Sequence, residues 1–144
     1  MRKSGIKMAL ILVIGTLFST ISIADEAKHK MQTFKGANNM ELDSLNIEGV
    51  NAFLSDIVSS NDPDAPISCG LFRMEKGDAL VYTYTYDEAK IIIDGEMTIA
   101  EENGESFKAV AGDVVYFDEG AKITFTSESS GLGFFCGQRP LGEL

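Results

Sequence analysis

The stretch Tyr82-Thr83-Tyr84-Thr85-Tyr86-Asp87-Glu88-Ala89-Lys90 concentrates the groups in this chain that could do chemistry. A glutamate and a lysine that share an apolar interior perturb one another's proton affinity, which is what acid–base catalysis needs. Tyrosine hydroxyls beside them could orient a carbonyl or a sugar. The only histidine, His29, lies far upstream. A serine or cysteine hydrolase, which needs an imidazole base, is therefore nearly excluded. No Gly-rich loop ending in Gly-Lys-Ser/Thr is present either, so phosphoryl transfer gains no support.

The elements that must position these groups begin after an address. Arg2, Lys3 and Lys7 precede an apolar run at 8–18, and Ser22-Ile23-Ala24 is a small-residue cleavage site. The run is shorter than the roughly 20 residues that span a bilayer. The expectation is a secretory signal peptide at 1–24, a periplasmic or secreted product, and no membrane association after cleavage. The remainder of the chain reads as one domain, with an N-terminal arm at 25–46 and a barrel at 47–144. Loss of the three bases in the signal takes the formal charge from −10 to −13. Such a surface repels phosphate backbones and anionic lipid, so no nucleic-acid partner is expected. Cys69 and Cys136 are the only cysteines. They fit one bridge in an oxidising compartment or two small buried thiols, and the sequence leaves both open.

Residues 42–58 carry recurrent apolar side chains without a clean period. Asn61-Asp62-Pro63-Asp64-Ala65-Pro66 is a firm stop. Beyond it the pattern predicts strands at 67–75, 79–86, 90–94, 96–101, 106–109, 114–117, 121–127 and 131–137. Lys76-Gly77-Asp78 reads as a turn, and Gly95 as a point where the backbone bends or another chain comes close. Asn103-Gly104 predicts a hairpin through a type I′ turn. Short, evenly spaced strands mean a sandwich or barrel.

Two spacings carry a resemblance. Glu88 is followed by six residues and Gly95; Gly112 is followed by five residues and Asp118-Glu119-Gly120, with Asp118 where proline is usual. In order and spacing these resemble the two motifs of the cupin superfamily, which implies an all-β fold with a single cupin (jelly-roll) β-barrel. Cupin metal sites use three imidazoles and one carboxylate. Tyr82, Tyr84 and Ile123 stand here where the histidines would. A phenol must lose a proton at a reference pKa of about 10 and an isoleucine donates nothing, so neither a metal nor another cofactor is expected. Within the superfamily the chain is similar to the ethanolamine-utilisation cupins of the Q type, through Leu54-Ser55-Asp56-Ile57-Val58, Tyr86-Asp87-Glu88, Asp94-Gly95-Glu96 and Ala111-Gly112-Asp113-Val114. That family is cytosolic, associated with microcompartments and linked to acetate kinase activity, a role an exported protein cannot fill in that place.

On the family's path Tyr82 and Tyr84 face the barrel interior by period-two alternation, and the motif brings Glu88 to the same side. Lys90, two residues on, shares that face unless the register slips by one. The expected ligand-binding set is Tyr82, Tyr84, Glu88, Arg73, Tyr116 and Phe125, with Phe134 as core or pocket wall. Each has a plainer reading: core tyrosines with satisfied hydroxyls, a structural Glu88, a Lys90 that snorkels outward, an Arg73 on a solvated face. Asp87, Asp118 and Glu119 read as solvated loop acids. These residues support two functions. The first is a metal-independent module that binds a small polar metabolite or sugar-like molecule. The second is a metal-independent isomerase or lyase with Glu88 as general base and Tyr84 or Lys90 as acid. A homodimer is expected in either case.

Overall fold

Alternating apolar and polar residues from Ala52 onward build eight strands in a computed structural model that describes residues 31–143. The expected signal, His29 and the first part of the arm lie outside the described residues. The strands are β1 (Ala52–Ser59), β2 (Ser68–Glu75), β3 (Leu80–Thr83), β4 (Glu88–Glu101), β5 (Ser106–Val110), β6 (Val114–Phe117), β7 (Lys122–Thr126) and β8 (Ser130–Gly137). They form one curled antiparallel sheet in the order β1-β2-β8-β4-β7-β3, with β5 and β6 also paired to β4. The all-β expectation holds.

β4 organises the sheet. Its 14 residues run unbroken where two strands separated by Gly95 were expected. Its pairing with β8 slips between Ile92 and Asp94, the signature of a bulge. One extra residue there changes which side chains point inward. Before it Glu88, Lys90 and Ile92 are buried; after it Met97 and Ile99 are. Gly95 follows the bulge at φ +65°, and a Cβ there would collide with the Ser130 carbonyl. Both reasons given for that glycine operate at once.

β1 is a strand that the irregular apolar pattern at 42–58 did not announce. β3 ends at Thr83 instead of Tyr86, because residues 84–87 turn the chain into β4. The Asn103–Gly104 hairpin forms with a different turn. Gly104 has φ +92°, but Asn103 is not among the residues at positive φ, which type I′ requires. Gly104 N donates to Glu101 O and Glu101 N to Glu105 O, the pattern of a three-residue loop closed by a glycine bulge.

The main core is drawn from inward residues of all eight strands, with Ala52, Phe72, Met74, Ile92, Met97, Ala109, Phe125 and Phe135 nearly or wholly buried. A second cluster sits on the far side of β2 and β8, where Leu42 of the arm packs on Leu71 and Leu132. Phe134, expected as core or pocket wall, instead faces outward on β8 and is partly exposed, because its neighbours Gly133 and Phe135 take the inward positions.

Cys69 on β2 and Cys136 on β8 are direct cross-strand partners and form a disulfide, with Cα atoms 4.1 Å apart. The bridge closes a 67-residue loop, which by chain entropy stabilises the fold by about 4 kcal/mol. Reducing it, or replacing both cysteines by serine, should lower Tm by roughly 10–20 °C. An unchanged melting curve under a strong reductant would count against that contribution.

Candidate functional site

β3, the turn at 84–87 and the first residues of β4 gather five polar side chains at one point. Tyr82, Tyr84, Tyr86, Glu88 and Lys90 line a cavity of about 50 Å³, walled by Leu45, Leu54, Phe72, Leu80 and Phe125. Leu45 and Leu54 come from the arm and β1, and nearly all of the surface that lines the cavity is apolar.

At the base of the cavity Lys90 Nζ donates to Glu88 Oε1 at 2.7 Å, and both side chains are only 3% exposed. Tyr84 donates its hydroxyl to the same oxygen at 3.1 Å. Four phenyl rings surround the ammonium: Phe72 at 4.7 Å, Phe125 at 5.2 Å, Phe117 at 5.4 Å and Phe135 at 5.6 Å to the ring centres. Ring faces are electron-rich, so they offset part of the cost of burying the charge. Gly133 on β8 leaves room for the lysine stem: a Cβ there would sit 3.0 Å from Lys90 Cγ.

The Tyr84 ring stacks on Phe117 at 4.6 Å and meets Tyr82 and Tyr86 edge-on. Burial, and then the charge and hydrogen bond of Glu88, hold the Tyr84 phenol far above its usual range. Burial and the hydrogen bond with Tyr82 raise Tyr86 as well. The Tyr82 and Tyr86 hydroxyls lie 3.4 Å apart. Tyr84 and Tyr86 thus remain protonated donors at any physiological pH.

Behind Tyr86 stands a group that sequence reasoning missed. Arg139, 2% exposed, lies 5.5 Å from the Tyr86 ring centre and grips Asp56 of β1 with two hydrogen bonds, of 2.9 and 2.7 Å. Gly142 N donates to the same carboxylate at 2.8 Å. Nothing in the local pattern around Arg139 marks a buried arginine. Tyr86 was the more legible omission, as the third member of the alternation begun by Tyr82 and Tyr84.

The structure brings together Tyr82, Tyr84, Glu88, Lys90 and Phe125. It does not bring Arg73 or Tyr116 to them. Arg73 occupies an outward position on β2, between inward Phe72 and Met74, and borders a surface depression with Asp94 and Asn38. Tyr116 is 59% exposed on β6 because Phe117 takes the inward place; it borders a separate open groove of about 780 Å³ with Asp118 and Lys122. Ile123 is buried opposite Tyr82 in the β3–β7 pairing.

A metal ion of the kind the cupin resemblance implies does not fit these residues. The single carboxylate is already spent on an ammonium that would repel a cation. Tyr84 offers a protonated phenol and Ile123 an alkyl chain. The arrangement offers instead hydrogen-bond donors around one shielded carboxylate.

Comparison with known proteins places this geometry. The family model described as ethanolamine utilisation protein EutQ matches residues 19–135. The acetate kinase EutQ of Escherichia coli strain K12 is 31% identical over 77 residues, which are 54% of this chain. The match spans 32% of that relative's own length. Among solved structures, the putative ethanolamine utilization protein Q of Salmonella typhimurium LT2 superposes with a TM-score of 0.54 at 26% identity, over 61% of this chain and 69% of its own. The cupin domain of Cnp3 from Schizosaccharomyces pombe gives a TM-score of 0.57 at 9% identity, over 72% and 67% of the two chains, a likeness of fold alone.

The Asp56–Arg139 pair yields a pH test. Burial alone would raise the Asp56 carboxyl, but Arg139 and the Gly142 N–H outweigh it and hold it below the usual range. A carboxyl depressed in the folded state stabilises the fold above its unfolded pKa, about 3.9, and that contribution is lost as pH falls through the folded value. Asp56→Asn should therefore cost roughly 3–5 kcal/mol in denaturant unfolding at pH 7, since it strands a buried guanidinium. The gap from wild type should narrow below about pH 4. Equal gaps at pH 7 and pH 2.5 would show that the pair does not carry the stability.

Proposed function

The chain belongs to the EutQ family of ethanolamine utilisation proteins, built on the cupin barrel, and we propose that it is an exported, metal-independent module that binds a small polar molecule in the tyrosine-lined cavity. The observation that carries this reading is that Tyr82, Tyr84, Tyr86, Glu88 and Lys90 all line one cavity of about 50 Å³. That volume admits a few waters or a ligand of a few heavy atoms, a small metabolite or a fragment of a sugar. It is far below the 300–1,000 Å³ of ordinary ligand pockets. The kinase activity in the name of the Escherichia coli relative belongs to that protein, and a nucleotide would not enter this cavity.

Export rests on the signal pattern at 1–24. The Cys69–Cys136 bridge supports it, because such bonds persist in oxidising compartments.

The second reading, an isomerase or lyase with Glu88 as base, is separated from the first by Glu88→Gln. Three of the four tyrosines line the cavity and the chain has no tryptophan, so intrinsic tyrosine fluorescence reports its occupancy. Titration with a panel of small polyols, hydroxy acids and sugars should give a saturable change in wild type and a weaker affinity in the variant. An enzyme would instead keep its ligand and lose about 10²–10⁴-fold in turnover. If no compound in the panel perturbs the tyrosines, the binding reading fails.

The proposed protein partner is a second copy of the chain. Ile91 lies between Val114 of β6 and Phe134 of β8, with Ala89 beside Tyr116 two pairs along. These residues and Ile93 point outward, and Val114 is 70% exposed. The set carries no charge in a chain with 22 acids and 12 bases. The patch is on the order of 400 Å², the size of the largest apolar patch on an ordinary monomer and roughly half of one side of a standard interface. Two acidic molecules repel one another least across a face without charge. Sedimentation should show a dimer that Ile91→Lys converts to monomer without loss of fold; a monomeric wild type would overturn the pairing.

A further inference from the structure

Arg73 on the outer face of β2 is a base without a partner among the described residues. Every base after it in the chain, Lys76, Lys90, Lys108, Lys122 and Arg139, lies within 4.0 Å of a carboxylate. The Arg73 guanidinium forms no such pair and spends none of its N–H donors on a described residue. An acid stands close by. Arg73 pairs with Leu132 of β8, and Leu132 pairs with Asp94 of β4, so the three share one row across the outer face. Neighbouring strands lie about 4.8 Å apart, which sets the backbones of Arg73 and Asp94 roughly 10 Å from each other with Leu132 between them. Their charged ends do not come within the 4.0 Å of an ion pair.

Arg73 and Asp94 line a depression of about 460 Å³, with Asn38 and Asn39 of the arm beside them and the buried side chain of Leu132 beneath. We propose that this depression binds a short zwitterion, its carboxylate held by Arg73 and its ammonium by Asp94. The site is separate from the tyrosine-lined cavity and does not depend on it. Ile93 is the one residue that the depression shares with the uncharged outer face, so it borders that face.

The class of ligand follows from the two charged residues together. A guanidinium presents a planar fork of N–H donors that matches a carboxylate. A simple carboxylate, however, would also meet Asp94 and the field of a chain of formal charge −10. A simple ammonium would meet Arg73. A molecule with both groups is neutral overall and gives each residue the opposite charge that it lacks. Asn38 Nδ2 donates to Asn39 Oδ1 at 3.3 Å, and the amide N–H groups of Asn39 itself make no hydrogen bond among the described residues, so they can add to the carboxylate's donors. Leu132 and Ile93 offer apolar surface to the methylenes between the two charges. Two side chains that reach towards each other across roughly 10 Å of backbone leave room for charges a few bonds apart, as in a short amino acid.

The experiment titrates the protein with glycine, β-alanine and 4-aminobutyrate, and with butyrate and butylammonium as probes that carry one charge each. Low ionic strength is used because exposed pairs are weak and screened by salt. Binding is followed by NMR of the Arg73 Nε–H and the methyl groups of Leu132 and Ile93. At least one zwitterion should bind wild type saturably and roughly fivefold tighter than either single-charge probe, with those signals shifting. Arg73→Gln should reduce its affinity to that of butylammonium, and Asp94→Asn to that of butyrate. Neither side chain has a hydrogen bond to lose among the described residues, so both variants should melt as wild type does.

Butyrate or butylammonium binding as tightly as the best zwitterion would overturn the proposal, and so would zwitterion affinity that survives in either folded variant. The absence of a saturable shift with all three amino acids would overturn it too. Shifts confined to Tyr82, Tyr84 and Tyr86 would place the zwitterion in the cavity, which removes the Arg73 site and supports the cavity as a binding site.

Discussion

Taking two opposite charges out of water is costly, and the Glu88–Lys90 pair obliges the surrounding chain to compensate. Each ion loses hydration worth several kcal/mol, which mutual attraction repays only with good geometry and further partners. The compensation is visible residue by residue: a 2.7 Å contact, a second hydrogen bond to the carboxylate from Tyr84, and four rings around the ammonium. The rings come from β2, β6, β7 and β8, so the pair is solvated by most of the barrel at once. An alkyl pair of equal volume would need none of this, and its stability would be no worse.

Meeting that obligation falls to β4, whose alternation cannot serve both ends of the strand without interruption. Glu88 and Lys90 must face inward where β4 lies between β6 and β8, and Met97 and Ile99 where it lies between β5 and β7. These positions have opposite parity. A straight strand would turn one set out to solvent, so the bulge between Ile92 and Asp94 is what makes a single 14-residue strand compatible with one interior. Gly95 then permits the close passage against Ser130 that the bent strand requires. The same parity rule sends Ala89, Ile91 and Ile93 outward, which is why the polar site and the uncharged outer face lie back to back on the same few residues.

Most of the strands were legible because β-branched and aromatic runs between turn residues are a strong local signal. The inward set Tyr82, Tyr84, Glu88 and Lys90 was legible from alternation joined to the cupin spacing. The features that escaped were decided by distant partners. β1 has no clean period because it is half-buried along nearly its whole length, packed on one side by the core and on the other by the arm. Arg73 and Tyr116 have the right chemistry for a pocket, but their own strand neighbours Phe72 and Phe117 claim the interior. Asn103-Gly104 announced its hairpin correctly and its turn type wrongly, since the backbone of Asn103 is free to choose either loop. The Arg139–Asp56 pair spans 83 positions, and no local window contains it.

That long-range pair shows how the chain's end is bound to the site. β8 carries Phe135, which contacts both cations, Lys90 within the barrel and Arg139 beyond the strand. Arg139 in turn packs on Tyr86 while anchored to β1 through Asp56. Cys136, between Phe135 and Gly137, ties the same strand covalently to β2. The segment from Cys136 to Arg139 is thus held to β1 and β2 by a disulfide and a buried ion pair, and its inward face supports the tyrosine that completes the cavity. The same strand pairs directly with Glu88, Ala89 and Lys90 of β4, so loosening either tie acts on the ion pair as well as on Tyr86. The tyrosine side of the cavity and the ion pair therefore rest on the same distant contacts, and the rings around Lys90 are a support that the pair has in addition.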